Sequence, residues 1–322
     1  MPPYPEIEPY DHGMLDVGDG NLVYWEVCGN PRGRPAVVLH GGPGSGAGAW
    51  FRRLFDPAAY RIVLLDQRGC GRSTPSASAY ETDMSVNTTA HVIADLELLR
   101  RHLGIGRWLV WGVSWGSVLG LRYAQTHPEA VTELVLTGVA TGSDAEVALM
   151  TRGLGHFYPE AFERFVAELA EGERDGDLAA AYNRLIESPD EAVRARAARA
   201  WTDWETAAAA EPPRSVPRFE DPEFRYSFAR TVTHYWGNGH FLGDAGEGHG
   251  GVVLRDAPLL KDIPGTLVQG TLDPGNLLGI VWRLHHAWPG SELILVDDVG
   301  HNAGAPDMAA ALVAATDKYA GR

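Results

Sequence analysis

The sequence predicts an α/β fold: a mostly parallel sheet flanked by helices, with a block of helices inserted in the C-terminal half. Three observations carry this expectation. Short runs rich in Val, Leu and aromatic residues recur along the chain, each closed by Gly, His or Asp. Helical spacing of apolar residues appears between the runs, and the alternation stops near residue 141 before strand-like runs resume near residue 264. The run NLVYWEVCG, residues 35–40 (PAVVLH), 61–66 (RIVLLD), 107–112 (RWLVWG), 132–138 (TELVLTG) and 264–270 (PGTLVQG), and the later run ELILVDD read as strands. Near-continuous apolar character marks strands buried on both faces, as in a parallel sheet. Between the third and fourth runs, NTTAHVIADLELLRRHLG places Val92, Ile93, Leu96, Leu99 and Leu103 at helical spacing and ends at Gly104, so it predicts a helix covering one sheet face.

From residue 141 the composition changes. EAFERFVAELAEG and DEAVRARAARAWTDWETAAAAE are helix-forming, and PPRSVP and the Gly-rich GNGHFLGDAGEGHGG follow them. The expected division is a core formed by residues 1–140 and 255–322, with a helical cap over 141–254. At 322 residues and 45% hydrophobic content the chain can bury a large core. A formal charge of −15, from 27 basic and 42 acidic residues, repels phosphate backbones and anionic membranes and favours cationic ligands. Nucleic acid and membrane partners are therefore not expected. The start MPPYPEIEPYDHG has neither the basic residues nor the apolar run of a secretory signal, so the expected setting is the cytoplasm. Cys28 and Cys70 are too few for a disulfide scaffold and too far apart for a zinc site.

Gly112-Val113-Ser114-Trp115-Gly116 follows the run RWLVW and precedes SVLGLRYAQTHP, a helix-like stretch. A serine on a sharp turn between strand and helix, flanked by glycines, is the nucleophile elbow of the α/β-hydrolase fold, and Ser114 is the candidate nucleophile. His40-Gly41-Gly42-Pro43-Gly44 closes the 35–40 run, where this fold places a loop that donates to the oxyanion. The expected hole is formed by the backbone N–H groups of Gly42 and Trp115. The fold orders its triad as serine, acid, histidine. Of twelve histidines, His301 in VDDVGHNAG follows the last strand-like run and is the candidate general base. Asp273 in VQGTLDPG follows its strand at once and is the candidate acid, with Asp297 and Asp298 as competitors that fit better as strand ends. His40, His91, His102, His127, His285 and His286 read as loop or surface residues.

Taken together, these residues resemble the proline iminopeptidase family of prolyl aminopeptidases. The motifs that carry the resemblance are HGGPG at 40–44, DQRGCGRS at 66–73, NTT at 87–89, SWGS at 114–117, YAQTHP at 123–128, WTDWE at 201–205 and HYWGNGHF at 234–241, and it extends from GTLD to AWP over 270–289. The resemblance implies a cap over the core, no metal or organic cofactor, and cleavage of the first residue from a small peptide or aminoacyl compound with a free N-terminus. By motif match Glu205 takes the role of the cap glutamate that holds the substrate amine. A carboxylate screened from water under a cap would pair with an ammonium group, whereas Trp201 and Trp204 fit equally well as core packing at i, i+3 spacing.

The sequence also departs from the family. Val232 stands where a second amine-binding glutamate is usual, Ala140 where an aromatic residue packs on the proline ring, and Thr271 where an arginine is common. The expected activity is release of an N-terminal proline, or of a small residue such as alanine, through an acyl-enzyme. The alternatives are an aminoacyl hydrolase or amidase that trims an intermediate of small-molecule biosynthesis, and an esterase on the same scaffold.

Overall fold

The computed structural model of the chain describes residues 2–209, 215–243, 251–274 and 278–321. Its frame is an eight-stranded sheet made of β1 (Asp11–Asp16), β2 (Leu22–Gly29), β3 (Arg34–Leu39), β4 (Tyr60–Leu65), β5 (Trp108–Val113), β6 (Val131–Thr137), β7 (Gly265–Gly270) and β8 (Ser291–Val296). The spatial order is β1-β2-β4-β3-β5-β6-β7-β8. β1 and β2 run antiparallel to their neighbours, and β3 through β8 are parallel. Every strand expected from an apolar run is present. β1 has no counterpart in those expectations, because DHGMLD is an edge strand with no fully buried residue and is specified by backbone pairing to β2.

Side-chain alternation sorts the sheet into two apolar faces. Val37, Leu39, Val63 and Leu65 join one cluster, while Ala36, Val38, Ile62 and Leu64 join the other. Helices α1 (Thr89–His102) and α2 (Trp115–Thr126) cover the first face through Val92, Leu96, Leu99, Val118 and Leu121. Thr88 caps α1 by accepting from the His91 N–H.

Between β6 and β7 the chain forms α3 (Asp144–Thr151), α4 (Pro159–Ala167), α5 (Leu178–Ile186), α6 (Glu191–Ala209) and α7 (Pro222–Trp236). These helices have an apolar cluster of their own, which includes Phe165, Tyr182, Trp201, Trp204, Phe228 and Val232. The short α8 (Val252–Arg255) leads back to β7, and α9 (Leu278–Ala287) returns to the first face of the sheet through Val281 and Leu284. The last helix, α10 (Pro306–Ala320), covers the second face through Leu312 and Val313. No described helix is long and apolar enough to cross a membrane. In an open parallel sheet the loops at the carboxyl ends of the strands carry the reactive groups, and here the loops after β3, β5, β7 and β8 converge.

Candidate active site

Ser114 is the residue between β5 and α2, at φ 56° and ψ −122°, a backbone conformation that a non-glycine residue rarely adopts. The turn is held by the Ser114 N–H, which donates to the Thr137 carbonyl at 3.0 Å, and by the Ser117 hydroxyl, which donates to the Ser114 carbonyl at 2.6 Å. The flanking glycines are needed for close approach. A Cβ on Gly116 would stand 2.0 Å from the Leu39 carbonyl oxygen, and one on Gly112 would stand 2.3 Å from the Gly116 carbonyl oxygen. The elbow thus lies directly against the end of β3, the strand that leads into the His40-Gly41-Gly42 loop.

That loop is held from beneath by the segment after β4. Gln67 donates its N–H to His40 Nε2 at 3.1 Å and its side-chain amide to the His40 carbonyl at 3.2 Å, and it accepts from the Trp115 indole at 2.8 Å. One glutamine therefore ties together the two residues that flank the expected oxyanion hole. Asp66 accepts from the Ala47 and Arg72 N–H groups and from the Arg72 guanidinium. Arg68 pairs with the buried Asp95 through two hydrogen bonds at 2.7 and 2.8 Å. The DQRGCGRS motif is in this sense the brace of the loop. His40 was expected at a loop or surface position and is instead wholly buried. Its ring donates to the Gly41 carbonyl, and burial lowers its pKa.

Asp273, after β7, is buried, and its Oδ2 lies 2.7 Å from His301 Nδ1, after β8. The carboxylate raises the imidazole pKa, against the opposing effect of burial. Asp297 and Asp298 are exposed, and the Asp298 N–H donates to the Thr271 hydroxyl. Gln269, a polar residue within the buried strand β7, is not among the residues expected at the site and supports the acid. Its amide donates to Asp273 Oδ2 at 3.2 Å, and its carbonyl accepts from the Val139 N–H at 2.9 Å. The visible signal was a glutamine in an otherwise apolar strand, where a buried amide needs partners.

Two cavities meet at Ser114. The larger, about 420 Å³, is lined by Ser114, His301, Glu205, Met150, Phe228 and Trp236 among others. The smaller, about 50 Å³, is lined by Gly42, Ser114, Trp115, Ala140, Trp236 and His240 among others. Glu205 reaches the larger cavity from α6. It accepts from the Trp201 indole at 2.7 Å, and loss of hydration pushes its pKa up to about 7. Trp204, its other motif neighbour, donates to the Met150 carbonyl. Val232 is fully buried in the apolar cluster of the inserted helices. Glu223, a residue that could supply another carboxylate, instead accepts from the Ser78 hydroxyl at the surface, and Glu211 lies outside the described residues. Ala140 lines the small cavity, and Trp236 lines both cavities and presents an aromatic ring from α7. Among the described residues no cluster of His, Cys, Asp and Glu is arranged to hold a metal ion.

A family model described as the alpha/beta hydrolase fold matches residues 35–305. A probable proline iminopeptidase of Streptomyces coelicolor is 76% identical over 317 residues, covering 98% of this chain and 97% of the relative. The chain belongs to the proline iminopeptidase family of α/β-hydrolases. A proline iminopeptidase of Xylella fastidiosa is 44% identical, with 98% of each chain covered. Among solved structures, the proline iminopeptidase of Mycobacterium smegmatis superposes with a TM-score of 0.62 at 19% identity, covering 96% of this chain and 99% of that one. That likeness concerns the fold. Membership in the proline iminopeptidase family rests on the two sequence relatives.

Proposed function

We propose that the chain is a serine aminopeptidase that releases an N-terminal proline, or a small residue such as alanine, from a short peptide or aminoacyl compound. The observation that carries this reading is the meeting of Ser114, His301 and the half-buried Glu205 on one cavity, in a chain whose relatives are named proline iminopeptidases. Glu205 pairs with the substrate ammonium and sets the first carbonyl against Ser114. His301, oriented by Asp273 and through it by Gln269, accepts the Ser114 proton as the oxygen attacks. The oxyanion faces the N–H groups of Gly42 and Trp115, a contribution of roughly 3 kcal/mol per donor. His301 then protonates the leaving amine, and water repeats the sequence on the acyl-enzyme to release the amino acid.

Residues 141–254 act as a cap over a core formed by residues 1–140 and 255–322. The free, buried Cys28 and Cys70 support a cytoplasmic setting. A second reading, trimming of an aminoacyl group from a small-molecule intermediate, is favoured by Ala140, whose small side chain lines the cavity beside Ser114.

The test is a panel of prolyl and alanyl amides that share one leaving group. Both should be cleaved, with alanine within about a hundredfold of proline, since pocket size alone offers only about 1–3 kcal/mol of discrimination. Ser114→Ala should be folded and inactive on both, and Asp273→Asn should lose about four orders of magnitude in kcat. Cleavage of acylated amines at the same rate as free ones would overturn the aminopeptidase reading.

A further inference from the structure

We propose that Arg218 binds the C-terminal carboxylate of the substrate, so that the enzyme works best on short peptides whose two ends are both free. This rests on the aminopeptidase reading and adds to it the recognition of the leaving group. Arg218 lies in the turn Pro217–Glu220 just before α7, and it lines the same cavity as Ser114, His301 and Glu205. Its guanidinium donates to the Ser45 carbonyl, in the loop that carries Gly42, and stands 4.0 Å from the centre of the Phe224 ring. These contacts hold the side chain in place without neutralising it.

No carboxylate among the described residues forms an ion pair with Arg218, whereas Arg52, Arg68, Arg72 and Arg230 each have one. Asp66, the acid whose field reaches it, is already engaged by Arg72 and two backbone N–H groups. Arg218 remains exposed, partial loss of hydration lowers its pKa from the ordinary value, and no carboxylate among the described residues neutralises it. In a chain with a formal charge of −15, a guanidinium at the reaction cavity that no described carboxylate neutralises points to an anionic ligand.

The planar fork of a guanidinium matches a carboxylate with two parallel hydrogen bonds. The cavity thus offers an anion, Glu205, for the substrate ammonium and a cation, Arg218, for a carboxylate, with the candidate nucleophile in the same wall. A di- or tripeptide carries that pair of charges. An aminoacyl arylamide carries only the first.

The experiment compares kcat/KM of the full chain on prolyl-alanine and on its C-terminal amide at one pH and low ionic strength, with a prolyl arylamide as a separate assay. The free acid should be preferred by about tenfold or more, as expected for a charge-assisted bidentate pair. Arg218→Gln should bring the acid-to-amide ratio close to one, and Arg218→Lys should keep part of the preference because the charge survives without the fork. Added salt should shrink the preference in the wild type. A wild-type ratio near one, or a ratio unchanged in Arg218→Gln, would overturn the assignment. Failure of the wild type to cleave the arylamide would instead remove the aminopeptidase reading on which the proposal stands.

Discussion

Glu205 and His301 share a cavity and both take up a proton as pH falls, so together they set the acid side of the pH profile of the proposed reaction. Glu205, at about 7, must be ionised to pair with an ammonium, and His301, with a pKa raised by Asp273, must be neutral to accept the Ser114 proton. Both conditions fail as pH falls. For substrates with a free amine, log(kcat/KM) should therefore fall as pH drops through about 7, where Glu205 is protonated, and reach a limiting slope near two once His301 is protonated as well, since this parameter reports the free enzyme. Esters without an amine should show a slope near one. Glu205→Gln should raise KM for free-amine substrates by roughly tenfold or more and reduce their slope to one, because only the His301 proton remains. Equal losses on both substrate types, with both slopes unchanged, would make Glu205 a packing residue for Trp201.

At the scale of an element, the elbow is a three-part contact in which β5, α2 and the end of β3 meet without side chains between them. Gly116→Ala forces a methyl group into the Leu39 carbonyl, and the backbone on both sides belongs to buried elements that cannot yield. The expected cost is about 3 kcal/mol, at the upper end of what single substitutions do, together with a large fall in kcat. Gly106→Ala is the control, because nothing lies within 4 Å of the added carbon and its φ is not positive. Urea midpoints of the two variants check this, and a Gly116→Ala midpoint equal to that of the wild type would refute the close-contact account. The elbow was legible in the sequence because its glycines, serine and flanking runs lie within one short stretch. The neighbour that makes Gly116 necessary is Leu39, far away in the chain, and only the structure shows it.

Across the whole molecule, Arg230 makes more hydrogen bonds from the inserted helices to the core than any other described residue. From α7 it donates to the carbonyls of Ala77, Ala79, Tyr80 and Thr82, and it pairs with Glu187 at 2.7 Å while remaining almost fully buried. Tyr235 adds a hydrogen bond to Asn87, at the N-terminal end of α1, and packs edge-on against Trp115. Arg230→Met should leave these carbonyls unpaired and cost about 3 kcal/mol or more. Because α7 also carries Trp236, the loosened helix should raise KM more than it lowers kcat on prolyl amides. Unchanged thermal midpoint and KM would mean that apolar contacts alone hold the two parts together.

Local pattern by itself determined the strands of the parallel sheet, the helix after β4 and the elbow at Ser114. Each of these depends on residue types within a few positions of one another, and period and turn chemistry act over that range. Tertiary structure decided what long-range proximity controls. Asp273 reaches His301 across 28 residues because β7 and β8 are neighbours in the sheet, whereas the nearer Asp297 and Asp298 point to solvent. His40 is buried because the Gln67 segment closes over it, and β1 forms because β2 offers a backbone edge to a segment with no apolar run. The raised pKa of Glu205 likewise follows from desolvation in the folded chain, and the place of Arg218 on the cavity of Ser114 from the packing of the inserted helices, and neither is written in the residues beside them in the chain.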